Sequence, residues 1–195
     1  MTDIVPQRAL LILGLDECLI YGSKVLLHRD VDFRVGPFHV YRRPGLAEFL
    51  TGAAEVFELA VWSSATSDYI GEIAEETCPA GYEWKFVWSR DRCTPRRHGE
   101  TMETVYVKDL KRVKRLGYSL ERILFIDDTP DKMARSFGNA VYVQPFEGDE
   151  EDEELPRLLA YLHSLANEAD FRKLEKRGWR SQKSAQRYSV TRQST

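Results

Sequence analysis

Cysteine, histidine and long apolar runs are all scarce in this chain, and each scarcity excludes a class of function. The three cysteines, Cys18, Cys78 and Cys93, are odd in number and far apart, with no C-x-x-C pair. That pattern supports neither a disulfide framework nor a zinc site, and it predicts reduced thiols. The four histidines, His28, His39, His98 and His163, share no metal-ligand spacing. No apolar run approaches the roughly 20 residues of a membrane span, the longest lying near Leu10 to Leu15. The opening "MTDIVPQR" has no basic region followed by a long apolar one, so no signal peptide is read there. These absences predict a soluble, cytoplasmic protein with no membrane partner. Charge of either sign is not in excess: 28 Lys and Arg face 31 Asp and Glu, a net charge of -3. Composition as a whole therefore points to neither nucleic acid nor an anionic membrane.

What is present is a core. With 195 residues and 43% hydrophobic content, the chain suffices for one domain with a sizeable apolar interior. Strand-like and helix-like segments alternate along it. "ALLILGL" reads as a buried strand and "VDFRVGPFHVYRR" as a hairpin turning at Gly36-Pro37. "RPGLAEFLTGAAEV" starts a helix at Pro44, with Leu46, Phe49 and Leu50 at helical spacing. Then come "FELAVWSS" as a strand, "ATSDYIGEIAEETC" as a helix, "KFVWS" as a short strand and Asp109 to Leu116 as a helix. "RILFIDD" reads as a strand, "PDKMARSF" as a helix, "AVYVQ" as a strand and "DEELPRLLAYLHSLA" as a closing helix. Strands separated by helices predict a doubly wound α/β domain, a Rossmann-like parallel sheet covered on both faces.

In such sheets ligands bind beyond the carboxyl ends of the strands. The residues there are Gly14, Asp16 and Cys18 after the first strand, Ser63 and Ser64 after the second, and Asp127 and Asp128 after the third. Lys108 precedes a helix between them. Each has a bland reading alone: an acid pair or a serine caps a helix, and a lysine is solvated. Their joint arrangement is harder to explain that way.

"LDECLI", "RRPGLAEFL", "VWSSATSDYI", "YVKDLKRV" and "ILFIDDTPDKM", in this order and spacing, resemble the motifs of the haloacid dehalogenase superfamily. The branch is that of the RNA polymerase II C-terminal-domain phosphatases and their NLI-interacting-factor relatives, and the resemblance runs from Leu10 to Ala166. It implies a phosphomonoester hydrolase working through an aspartyl phosphate. The first aspartate of the leading motif would attack phosphorus, while Asp16 would protonate the leaving oxygen and then activate water. Strand alternation puts positions 14 and 16 on one side. Ser63 and Ser64 would bind phosphoryl oxygens, and Lys108 would neutralise developing charge. Asp16, Asp127 and Asp128 would hold Mg2+, an ion that prefers oxygen ligands. Asp128 stands where the branch often has an amide.

The larger departure is Gly14, which occupies the nucleophile's position without a side chain. Loss of a nucleophile in a concerted site costs on the order of 10⁴ to 10⁶ in rate. The chain is therefore expected to turn over little or nothing by this mechanism. Cys18, four residues on, reads as lying past the strand end and is not expected to replace the nucleophile. Gly14 is either a natural loss, leaving a phosphate-binding or scaffold pseudophosphatase, or an alteration of an active parent. Because every other motif position is intact, the sequence favours the second.

Neither Tyr21 to Val40 nor Pro79 to Val107 is long enough for a full cap, so the expected site is open, with only a small β-hairpin insertion. An open site suits a phosphoprotein or a nucleic-acid end. Arg90, Arg92, Arg96 and Arg97 are candidates to line its entrance or to form a solvated loop. The predicted division is a phosphatase domain over 1–166 and a basic tail over 167–195. The acidic block "EGDEEDEE", Glu147 to Glu154, faces a tail that has eight Lys or Arg from Phe171 to Thr195 against Glu175 alone. That tail could bind nucleic acid with Trp179 and Tyr188 stacking on bases. The alternative is docking on the acidic block, with Phe171, Leu174 and Trp179 prolonging the last helix as one apolar stripe.

Overall fold

A computed structural model describes residues 8–181 of the protein. In chain order the elements are β1 (Ala9–Leu13), β2 (Ile20–Ser23), β3 (Phe33–Val35), β4 (Phe38–Arg42), α1 (Leu46–Val56), β5 (Phe57–Trp62) and α2 (Ser67–Thr77). Then follow β6 (Val87–Trp88), β7 (Thr94–Arg97), β8 (Thr104–Val107), α3 (Lys111–Lys114), β9 (Ile123–Asp127), β10 (Ala140–Tyr142) and α4 (Glu154–Leu165). Five strands form a parallel sheet in the order β10-β9-β1-β5-β6. Every residue of β1 and of β9 is buried, as unbroken apolar runs require when both faces of a sheet are covered.

Alternation along the strands sends side chains into two cores. Leu11, Leu13, Leu59, Val61, Leu124 and Ile126 meet the buried faces of α1, α2 and α4, while Leu10, Ile12, Ala60, Trp62, Ile123 and Phe125 meet Leu110, Val113 and Met133. The three long helices thus contribute to one core. The other is closed by the single turn α3, short 3-10 turns and Cys93, which leads into the β7–β8 hairpin.

Several expected elements differ in extent. The helix expected from Asp109 to Leu116 is only α3, because the chain tightens after Lys114 into turns that bond Leu116 N to the Val113 carbonyl (2.9 Å) and Gly117 N to the Lys114 carbonyl (3.1 Å), and then bends away at Gly117, φ 95°. "PDKMARSF" is broken into 3-10 turns at Pro130–Met133 and Phe137–Asn139. There the Asn139 amide donates to the carbonyls of Leu120 (2.6 Å) and Ile123 (2.8 Å), which pulls the chain down to start β10. The Gly36-Pro37 hairpin is present as β3 and β4, and β2 joins it in a three-stranded antiparallel sheet, β2-β4-β3. The segment between β6 and β8, read as a strand and a loop, also holds the antiparallel pair β7–β8.

Part of the segment assigned to a basic tail belongs to the domain. Phe171 is fully buried beside Phe57 (ring centroids 6.4 Å apart), and Trp179 stacks on Tyr161 at 5.7 Å and donates from Nε1 to the Tyr142 carbonyl at 2.9 Å. They do not prolong α4 as a stripe. The helix ends at Leu165, and the Asp170 carboxylate caps a new turn, Phe171–Lys173, by accepting from Arg172 N at 3.0 Å. Arg180 reaches the acidic block and pairs with Glu154. Tyr188 lies outside the described residues.

Candidate active site

Register places position 14 beside the acid pair. Leu13 of β1 stands opposite Ile126 of β9, so Gly14, which donates its N–H to the Ile126 carbonyl at 2.9 Å, lies next to Asp127. A Cβ built at Gly14 would lie 3.1 Å from Cys18 Sγ, 3.2 Å from the Ile126 carbonyl oxygen and 3.5 Å from Asp127 Oδ2. The missing side chain would therefore project among the expected site residues, into space its neighbours have partly closed.

Asp16 projects from the loop after β1 toward the end of β5. Its Oδ1 accepts from the Tyr69 hydroxyl at 2.8 Å and its Oδ2 from the Ser63 hydroxyl at 3.4 Å. Burial raises the Asp16 pKa, against the opposing effect of those two donors. Such a carboxyl is suited to hold and release a proton. Tyr69 sits on α2 and packs edge-on against Phe38 of β4, at 5.3 Å between ring centroids. A side chain at Gly22 would collide with the Tyr69 hydroxyl, so glycine in β2 keeps the path to Asp16 open.

Lys108, 2% exposed, follows β8 and donates from Nζ to Asp127 Oδ2 at 2.6 Å. Its position is fixed by its own N–H, which bonds the Lys132 carbonyl at 2.8 Å. Asp127 Oδ1 accepts the Thr129 N–H at 3.0 Å, and Asp128 Oδ2 accepts the Thr129 hydroxyl at 2.6 Å. Lys132 Nζ lies 3.4 Å from Asp128 Oδ1 and 3.9 Å from Asp127 Oδ1. For Asp128, burial would raise the pKa, but the Thr129 hydroxyl and the Lys132 ammonium outweigh it and the net shift is downward. Lys132 shifts upward, because the attraction of Asp127 and Asp128 exceeds the cost of burial.

Gly14, Asp16, Ser63, Lys108, Asp127 and Asp128 are thus gathered at one end of the sheet. Ser64 stays at the rim, its carbonyl accepting Arg90 Nε at 2.6 Å. Arg90 stacks over Tyr106 at 4.7 Å, whereas Arg92 stacks over Trp88 at 5.6 Å and Arg96 and Arg97 are exposed on β7. Of the four arginines, Arg90 is the one that hydrogen-bonds an expected site residue among the described residues.

Sequence reasoning missed Tyr69, Lys132 and the placement of Cys18. Lys132 carried a signal, an i,i+4 spacing from Asp128. The expectation that Cys18 lies past the site is corrected: the tight turn after Leu15 folds it back, and its thiol donates to Asp128 Oδ1 at 3.5 Å. It is still a poor nucleophile, because burial first and the Asp127 carboxylate second push its pKa well up.

Of the expected magnesium set of Asp16, Asp127 and Asp128, the last two lie together. Among the described residues, the one group of potential ligands that converges is Cys18, Asp127 and Asp128, with ligand atoms within 4.8 Å of one another. Asp16 is turned away to Tyr69 and Ser63. A buried thiol is a soft donor unsuited to a hard cation, Gly14 offers no carboxylate, and all four oxygens of Asp127 and Asp128 already face protein donors. The residues present do not fit a magnesium ion well.

Comparison with known proteins bears on the family and the fold. The sequence profile described as NLI interacting factor-like phosphatase matches residues 9–172. A CTD small phosphatase-like protein 2 from Dictyostelium discoideum is 28% identical over 169 residues, covering 83% of this chain and 28% of the relative. The human carboxy-terminal domain RNA polymerase II polypeptide A small phosphatase 1 is 28% identical over 171 residues, 84% of this chain and 62% of the relative. This chain thus spans only part of each. Among solved structures, that of Fcp1, an essential RNA polymerase II CTD phosphatase, superposes with a TM-score of 0.63 at 21% identity, covering 82% of this chain and 62% of that one. The fold is therefore shared with Fcp1, and with the profile spanning the sheet and all of the gathered residues, the chain belongs to the NLI interacting factor-like phosphatase family.

Proposed function

We propose that this chain binds a phosphomonoester on a protein and that hydrolysis has been lost at position 14. The observation that carries the reading is the placement of Gly14: a Cβ there would lie 3.5 Å from Asp127 Oδ2, at the centre of an otherwise assembled site. Lys108 and Ser63 supply donors for phosphoryl oxygens, and Asp16, held by Tyr69 and raised in pKa by burial, supplies the proton for a leaving oxygen. What is missing is the group that forms the covalent bond. Phosphatases of this family are generally metal-dependent, so position 14 costs the site both a nucleophile and a hard ligand.

A side chain at position 14 would need Cys18 and the Ile126 carbonyl to give by a few tenths of an ångström. Cys18 Sγ and the Ile126 carbonyl stand closer to the virtual Cβ than ordinary van der Waals contact. For the substrate, a phosphoprotein is favoured over a small metabolite, because among the described residues no inserted domain stands over the cleft of about 350 Å3 that opens beside Ser64, Thr129 and Lys132 and is walled by the β7–β8 hairpin.

The test is hydrolysis of p-nitrophenyl phosphate, with and without magnesium, by the chain, by Gly14→Asp, and by Gly14→Asp with Cys18→Ser to relieve the crowding. Expected are no measurable turnover in the parent and a magnesium-dependent gain of at least about 10⁴-fold in one of the variants. Turnover by the parent at a comparable rate would overturn the proposal.

A further inference from the structure

The acid pair of the site, Asp127 and Asp128, is already neutralised by the chain itself. Two ammonium groups, Lys108 and Lys132, face two carboxylates, Asp127 and Asp128, at 2.6 to 3.9 Å. Glycine at position 14 adds no acid beside that pair, and Asp16, the remaining carboxyl of the site, is turned to the hydroxyls of Tyr69 and Ser63. A divalent ion would have to displace Lys132 from Asp128 or lie beside two like charges, where repulsion in a partly buried setting is strong. Lys132 also differs from Lys108 in access. Its side chain is 24% exposed, and it lines the open cleft with Ser64 and Thr129, whereas Lys108 is enclosed. The turn Pro130–Met133 holds it there, four residues from Asp128.

We infer that the chain binds the phosphate dianion of a phosphomonoester without a divalent metal, Lys132 standing beside Asp128 in the cation's place and meeting the phosphate oxygens together with Lys108 and Ser63. The inference rests on the phosphate-binding reading above and adds which positive charge that site uses. An ammonium tethered to the chain is present at all times, so occupancy by phosphate does not depend on the supply of an ion. With three N–H donors, Lys132 can keep Asp128 and still reach a ligand oxygen.

The experiment is titration of the full chain with phenyl phosphate, followed by 31P NMR or calorimetry, once with EDTA and once with excess magnesium. The parent is expected to bind with the same affinity in both, within about twofold. Lys132→Gln should bind at least about tenfold more weakly in EDTA, the weight of one charge-assisted hydrogen bond, while Lys132→Arg retains binding. Gly14→Asp, with a carboxylate beside the acid pair, should bind tightly only with magnesium. Thermal melting of Lys132→Gln checks that the variant is folded, and the Arg variant reports on the charge if it is not. Parent binding that requires magnesium, or Lys132→Gln that binds like the parent in EDTA, overturns this inference and leaves the proposed function standing. No binding by the parent in either condition overturns both.

Discussion

Two of the regions in which the described residues bury charge do so in opposite ways. Behind the site, Arg43 at 1% exposure donates from Nε and Nη2 to Asp152 at 2.8 and 2.7 Å and from Nη1 to the Cys18 carbonyl at 3.0 Å, with its guanidinium over the Phe146 ring. Next to it, Glu154 accepts Gln144 N and Arg180 Nε. In this brace donors and acceptors are matched, and the planar fork is used as a fork. In the site, Lys108 Nζ is equally buried yet donates to one carboxylate, Asp127, among the described residues, and the contacts of Lys132 are long. A buried ammonium with donors to spare is an arrangement that structure alone does not require. The difference separates charge that holds the fold from charge held ready for a ligand.

The largest effect should come from breaking the brace at its far end. Truncation after Asp170 removes Phe171 and Trp179, both in the core, and leaves Glu154 without Arg180. Loss of one buried Phe or Trp costs about 3–5 kcal/mol, so two of them approach the whole stability of a small domain. Truncation is expected to abolish a cooperative thermal transition. A cooperative melt within a few degrees of the parent would show that the segment is an appendage after all.

A smaller loss is expected inside the brace. Arg43→Met strands the Asp152 carboxylate and the Cys18 carbonyl and should cost about 3–5 kcal/mol by denaturant unfolding. The site should answer differently when both partners are replaced. Lys108→Met together with Asp127→Leu removes both partners of the ion pair, leaving Lys132 to Asp128 and only the Thr129 N–H without its acceptor, so it should cost less than Arg43→Met, about 1–3 kcal/mol, while phenyl phosphate binding disappears. If the paired site variant loses as much stability as Arg43→Met, the distinction between holding and waiting charge fails.

Much of this was legible in the sequence, and the gaps have physical causes. The strands β1, β5 and β9 declare themselves as apolar runs, and their carboxyl ends named Gly14, Asp16, Ser63 and Asp127 because a parallel sheet presents its strand ends together. Register was not legible. That position 14 lies against Asp127, and that Cys18 folds back to Asp128, depends on β1 lying between β9 and β5. Tyr69 was hidden because it occupies an ordinary amphipathic position of α2, and only the path past Gly22 reveals its hydroxyl's target. The basic segment misled for a related reason. Composition dominated by Arg and Lys reads as solvated, while two aromatic side chains, Phe171 and Trp179, decide where it packs.

The smallest expected effect is one of pH, and the two regions should carry it with opposite signs. For Asp152, burial acts against ionisation, but the Arg43 guanidinium and the Glu154 N–H prevail and hold its pKa below the ordinary 3.8. A depressed pKa stabilises the fold above the unfolded value, and that contribution is lost as pH falls from about 3.8 through the folded value. Burial raises the Asp16 pKa above 3.8, so its contribution to stability is fully present only below 3.8 and is lost as pH rises through the folded value. Melting temperature followed from neutral pH down to about 3 should therefore fall less steeply in Asp152→Asn than in the parent. Asp16→Asn should instead show its largest gain over the parent near neutrality and none at the acid end, since Tyr69 and Ser63 still have an oxygen to bond. Parallel curves for the two variants would mean that Asp16, like Asp152, is a structural acid, and would remove it as the proton donor of the proposed site.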